Sequence, residues 1–196
     1  MCKETTRAYT RKRLKRLQAL PDNRLRAELA ELRRGVGRAP GEIPALWGAF
    51  LEDFPEDICN DPKKSKQRAR MEWAVYTALT LFALHQQGKD FHTEWMDTSD
   101  RRFGQAVRKL APSNDDSDDN LNRIRNRFNI IATSANIREL ANHLRAMIHI
   151  LRDADIAFDY ADFAADLYCF MSPVLVNEIK LKWGRDFYSY QENNQT

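Results

Sequence analysis

Cysteine is scarce, with only Cys2, Cys59 and Cys169 in 196 residues. An odd, widely spaced set without a CxxC pair excludes a disulfide framework and leads us to expect reduced thiols in a cytoplasmic protein. Seven glycines and seven prolines are too few for a collagen-like or Pro/Gly-rich disordered chain. They are also few for an all-β sandwich, which needs turn residues every 8–12 positions or so. No stretch approaches the roughly 18 consecutive apolar residues of a membrane span. The start, Met1-Cys2-Lys3-Glu4, lacks the apolar core of a secretory signal. The four histidines (His85, His92, His143, His149) form no HExxH and share no zinc spacing with the cysteines. GxSxG, GxxxxGK[ST] and GxGxxG are missing too, and Gly35-Val36-Gly37 is too short to count as a phosphate loop. Nothing here asks for a catalytic centre, a metal or a cofactor.

What the chain has is positive charge, unevenly spread. The net charge of +3 conceals 12 Lys/Arg against 4 Asp/Glu in residues 1–38, and 6 arginines against one glutamate in residues 121–152. Residues 153–196 reverse the balance, with 3 basic and 8 acidic groups. Clustered positive charge is what a polyanion-binding surface requires, because phosphate neutralisation supplies most of its affinity. Basic residues coating solvated helix faces would read the same way.

The apolar period is helical almost throughout, and we expect an all-α, two-lobed bundle of about seven to nine helices. An Arg/Lys-rich helix from Thr6 to Leu20, with Leu14 and Leu17 on its packing edge, ends at Pro21. Asp22 or Asn23 is positioned to cap the next helix, with Leu25, Leu29 and Leu32 on its inner face. Ala45 to Asp53 reads as a short helix. Met71 to Leu84 is apolar on nearly every side, which marks a buried central helix behind the basic cluster Lys63–Arg70. Asp100 is placed to cap a helix from Arg101 to Leu110. Further helices are expected over about Leu121–Ala132, Ile137–Leu151 and Tyr160–Phe170. The last starts at Ser172-Pro173 and ends at Gly184. The acidic stretch Pro112–Asn120 divides the chain into an N-terminal lobe (1–111), a linker (112–120) and a C-terminal lobe (121–196). Counted from Asn114 or from Asp115, that stretch lacks the Gly at position 6 and Glu at position 12 of a calcium loop. Trp47, Trp73, Trp95 and Trp183 suit base stacking, but on helices like these they read as core anchors.

The segment Ile137–Arg152 carries the sharpest signal. Ile137, Leu140, Ala141, Leu144, Ile148 and Leu151 form one stripe. Arg138, Asn142, Arg145, His149 and Arg152 form a second, whose members fall within about 80° of each other. Its three guanidiniums stand in a row roughly 10 Å apart, suited to phosphate oxygens. Salt bridges to the acidic stripe Asp155, Asp159, Asp162 and Asp166 are the competing reading, above all for Arg152. The preceding helix adds Arg123 and Arg127 at i, i+4.

Several motifs have a family counterpart. ELxxHLRxxIxxLR (Glu139–Arg152), the step from Asp159-Tyr160 to Asp166-Leu167, and WGRDFY (Trp183–Tyr188) come in order. LRRGVGRAP (Leu32–Pro40), LFALHQ (Leu81–Gln86) and RFNIIA (Arg127–Ala132) precede them. Over about Ala27–Tyr190 the chain resembles the CasB family, the small subunit of the type I-E CRISPR surveillance complex, Cascade. The resemblance implies a non-catalytic, all-helical subunit, two copies of which lie head to tail against the guide-RNA-bearing backbone filament. Its implied partners are those filament subunits, the large subunit, a second copy of itself, the guide RNA and the target DNA, including the displaced strand. There the family stabilises the R-loop, and base pairing to the guide supplies the sequence specificity. Matched residue by residue, Arg33, Arg34, Arg127 and Arg145 carry the family's basic positions. Lys66, Arg101, Arg102, Arg123 and Arg138 join them from charge and spacing alone. An interaction subunit whose basic faces meet partner proteins, with the acidic Asp155–Asp166 stripe as a self-association surface, is the alternative. An unrecognised nuclease is a further one, without a carboxylate cluster to support it.

Overall fold

The computed structural model describes residues 2–59, 61–111 and 118–189. Within them lie α1 (Cys2–Gln18), α2 (Asp22–Arg34), α3 (Trp47–Leu51), α4 (Glu56–Cys59), α5 (Ser65–His85), α6 (Phe103–Lys109), α7 (Asp118–Thr133), α8 (Ile137–Asp153), α9 (Tyr160–Phe170) and α10 (Val176–Tyr188). No strand occurs among the described residues. An isolated bridge pairs Asp97 with Phe158.

Two helices form the axis of the molecule. In α5 every residue from Ala74 to His85 is buried, as a helix apolar on all sides must be. All of α9 but Asp162 is buried as well. These two pack on each other, α2 and α8 flank α5, and α1 lies against both α5 and α9. Buried apolar side chains from Tyr9 to Phe187 thus form one contiguous cluster. Phe103 of α6 sits at a crossing point, its ring centroid 4.9 to 6.2 Å from those of Phe128, Phe158, Phe163 and Trp183. Offset and edge-on aromatic pairs of this kind lock helices together beyond their buried area.

Several helix ends differ from the sequence expectation. Pro21, not Asp22 or Asn23, is the N-cap of α2, since the proline ring already sets the φ of helix entry. The helix after Asp100 begins two residues later than expected, with Arg102 as its N-cap and the Gln105 side chain accepting from the Arg102 N–H. The central helix starts at Ser65, because lysine and arginine are good helix formers and the basic cluster winds its first turns. The last helix starts at Val176, three residues past Pro173, and runs through Gly184 to Tyr188. The gain from burying Trp183 and Phe187 on one side outweighs the roughly 1 kcal/mol cost of an interior glycine. Trp47 is 48% exposed and anchors no core. Of the acidic stretch, residues 112–117 lie outside the described residues, and the rest opens α7.

Candidate nucleic-acid interface

The arginines of α1 are spent on contacts within the fold. Arg7 of α1 meets Asp162 of α9 at 2.7 Å, and Arg11 meets Asp159 at 2.7 Å. Arg13 donates to the Gly48 carbonyl at 3.0 Å, Arg16 pairs with Glu52 at 2.8 Å and Lys12 with Asp53 at 3.1 Å. These acids come from α9 and from the α3–α4 turn, far away in sequence.

The same pairings retire the acidic stripe as a partner for the arginine row or as a self-association surface. Lys182 of α10 bridges Asp162 at 2.6 Å and Asp166 at 2.7 Å, and the Trp183 indole N–H donates to Asp166 at 2.8 Å. Asp159 also caps α9 by accepting from the Asp162 N–H. Asp155 pairs with Lys89. Three of the four carboxylates face inward. Burial pushes the Asp166 carboxyl up, whereas the ammonium of Lys182 and the guanidinium of Arg7 hold Asp162 down despite its own burial.

A second group of basic side chains lies on α8 and at the end of α2. Arg33, Arg34 and Arg145 converge on one groove of about 320 Å³, shared with Gln87 just past α5. Arg145 is exposed and Arg33 half-buried, and neither has an ion-pair partner among the described residues. Burial pushes the Arg33 guanidinium pKa down, so this cation is already partly stripped of water. Among the described residues Arg34 is tied only to Glu31 one turn back, at 2.8 Å, an exposed contact worth a few tenths of a kcal/mol that a phosphate can displace. About two α8 turns away, Arg138 stacks over Trp73, its guanidinium carbon 5.8 Å from the ring centroid. Glu42 stands 4.0 Å from it. Arg152 pairs with its neighbour Asp153 rather than with α9. Burial, then the charges of Arg152 and Arg145, push His149 of the same face down.

The turn that brings α2 to α8 depends on two glycines. A Cβ on Gly35 would stand 2.6 Å from the Tyr76 hydroxyl and 2.8 Å from Leu46 and Thr80. Gly37 holds a φ of 80°, open to glycine and strained for side chains. Its Cβ position faces Asn142 of the arginine stripe. The short GVG thus has a structural reason unrelated to a phosphate loop.

The other expected residues lie elsewhere. Lys66 is exposed in the first turn of α5. With Arg70 and Trp73 it forms one stripe within about 60°, so it extends the line of Arg138 about 10 Å further. Arg101 is built into the scaffold, donating to the Ala157 carbonyl at 2.9 Å while its own carbonyl accepts from Asp159. Arg102 pairs with Asp186 at 3.1 Å. Arg123 and Arg127 are exposed on α7. Arg127 borders an apolar groove of about 290 Å³ on the opposite flank of α8, with Ile130, His143 and Ile150. Trp73 and Gln87 were missed as members of the basic face. The seven-residue interval from Lys66 to Trp73 signals the first. Nothing in the sequence signals the second, which follows from the packing of α2 on α5.

No metal-holding group of histidine, cysteine or carboxylate side chains exists among the described residues. Known proteins place the chain firmly. Residues 28–188 match the family model for CRISPR-associated protein Cse2. The crystal structure of CasB from Thermobifida fusca is similar at a TM-score of 0.80 and 32% identity, over 94% of this chain and 98% of that one. CasB from Thermus thermophilus shares the fold at a TM-score of 0.65 and 20% identity, over 96% of this chain and 98% of that one. M. ruber CasB does so at 0.63 and 20%, over 92% and 93%. Curated protein sequences include no significant match. The chain belongs to the Cse2 (CasB) family, the non-catalytic small subunit of the type I-E CRISPR Cascade complex.

Proposed function

We propose that this Cascade subunit holds the backbone of single-stranded DNA, the strand displaced from the target duplex, along the face formed by Arg33, Arg34, Arg138 and Arg145. Lys66 prolongs that track. The observation that carries the reading is the fate of the charges. The arginines of α1 are neutralised within the fold, while Arg33, Arg34 and Arg145 line one groove whose lining holds no carboxylate. A positive groove with aromatic surface beside it suits a strand that must be held irrespective of sequence. Holding it separated favours the R-loop over the closed duplex, while pairing with the guide RNA reads the sequence. The subunit works in the cytoplasm, beside a second copy of itself, the guide-bearing filament and the large subunit. No helix of the described residues is long and apolar enough to cross a membrane.

The test is single-stranded DNA binding over a salt series, with Arg138→Ala/Arg145→Ala alongside the parent. Loss of two phosphate contacts lowers the slope of log K against log salt by about 1.4. The loss should be similar for oligomers of any sequence. An unchanged slope, or weakening confined to one sequence, would refute the mechanism.

A second reading has its own observation. Arg127 stands beside an apolar groove with the half-exposed Ile130, the mixture of a protein contact more than of a phosphate track. The α7 flank, with Arg123 and Arg127, is therefore the face we assign to partner subunits. Charge reversal at Arg127 should impair assembly and spare DNA binding by the isolated chain.

A further inference from the structure

We infer that the strand track does not end at Arg33 but continues into a cleft between α2 and the turn after α5, where one unpaired DNA base is held beside Phe91 and Arg26. The inference rests on the DNA-binding reading above and adds a base-stacking site to it.

Arg33 and Gln87 line both the arginine groove and a second cavity of about 570 Å³, so the two spaces share a wall. The volume lies within the range of roughly 300–1,000 Å³ typical of small-molecule sites. Its far wall offers what a base needs. The guanidinium carbon of Arg26 lies over the Phe91 ring, 5.9 Å from its centroid, so the ring holds a planar cation whose outer face is a further stacking surface. Unpaired bases stack on such surfaces whatever their identity.

The carboxylates at the rim are occupied by their own turn. Asp90 accepts from the N–H groups of His92 and Thr93 and from the Thr93 hydroxyl, and Glu94 accepts from the Asp90 N–H. Asp22 faces His92 at 3.3 Å. Lys89 turns away to Asp155. The cation left at the junction is Arg33, half-buried and without an ion-pair partner among the described residues. A phosphate there completes a guanidinium that the fold leaves uncompensated, and places the attached base toward Phe91.

The experiment compares binding of an oligo-dT of about 12 nucleotides with an abasic deoxyribose-phosphate oligomer of the same length and charge. The full chain, Phe91→Leu, Phe91→Trp and Arg138→Ala/Arg145→Ala are measured over a salt series. The parent and Phe91→Trp should prefer oligo-dT by between about fivefold and a hundredfold. Phe91→Leu should lose that preference and keep the parent's salt slope, because no phosphate contact is removed. A preference retained in Phe91→Leu, or absent in a parent that binds both oligomers, overturns the cleft. If the slope still falls in the α8 double variant, the backbone reading stands without it. A parent that binds neither oligomer overturns both.

Discussion

Gly35 sets the distance between α2 and the central helix, and with it the position of Arg33 and Arg34. Replacing it by alanine puts a methyl group 2.6 Å from the Tyr76 hydroxyl, 2.8 Å from Leu46 Cδ1 and 2.8 Å from Thr80 Cγ2. All three neighbours belong to a closed, buried wall, so none can step aside into solvent. Overpacking of this kind costs about 1–3 kcal/mol. The Tyr76 hydroxyl also donates to the Gly35 carbonyl at 3.1 Å, a bond lost when the ring is pushed back. That carbonyl keeps the Arg38 N–H at 3.0 Å, so the lost bond adds only about 1 kcal/mol. Gly35→Ala should therefore destabilise the chain by about 2–4 kcal/mol in urea unfolding. Gly41→Ala, where a Cβ meets nothing within 4 Å, should be neutral. Tyr76→Phe alone should cost about 1 kcal/mol. In the double variant Gly35→Ala/Tyr76→Phe, the tightest of the three contacts is gone. The two losses should then sum to less than their separate values by about 1 kcal/mol, a coupling that only touching residues show. A Gly35→Ala stability within 0.5 kcal/mol or so of the parent, or strict additivity, would refute the close-approach argument.

Two further outcomes follow from buried charges. Burial pushes the His85 imidazole down to about 3, so below the ordinary histidine value only the unfolded chain takes the proton. Stability is then lost progressively as pH falls from 6.5 toward 3. Between pH 6.5 and 4.5 the parent should lose about 2 kcal/mol more than His85→Gln, by urea midpoints at each pH. Asp97, pushed up to about 6 by burial, gains stability as pH falls through that range, but equally in both proteins, so it cancels. Arg11→Gln should remove the 2.7 Å pair with buried Asp159 and cost about 2 kcal/mol. It should leave the salt slope of DNA binding unchanged, since that arginine serves the fold. A reduced slope would place α1 on the DNA instead.

The helices were legible where both ends carry a chemical mark. The expected span Tyr160–Phe170 matches α9 to the residue because Asp159 caps its start and Ser172-Pro173 closes its end. Ile137–Leu151 was nearly right for the same reason, Asn136 accepting from the N–H groups of Arg138 and Glu139. Gly184 misled because a glycine stops a helix only where nothing beyond it is worth burying, and Phe187 lies beyond it. The basic cluster before Met71 hid two turns of α5, because charge patterns report exposure and not backbone conformation. The arginine row of α8 was legible as a stripe, since helical spacing alone defines it. Which arginines would be free was not. The acids that neutralise Arg7 and Arg11 stand about 150 residues downstream, and only tertiary packing joins them.

That division has a physical logic in the fold. The helix α9 is buried yet carries Asp159, Asp162 and Asp166 inward, and unpaired carboxylates there would cost several kcal/mol each. Basic side chains must therefore come to them, and α1 and α10 supply Arg7, Arg11 and Lys182. The N-terminal positive charge is thus a structural counter-ion for an acidic core helix. On α8 the acids within reach are exposed ones, Glu42 at 4.0 Å from Arg138 and Asp153 beside Arg152, and none reaches Arg145 among the described residues. The exposed face of α8 meets the end of α2, itself basic, and cations of like sign are held close together around one groove. Mutual repulsion opposes that arrangement unless an anion enters, so it stores affinity for a phosphate chain rather than stability for the free subunit. The same charge type therefore does opposite work on two faces, and the partner available in the fold decides which.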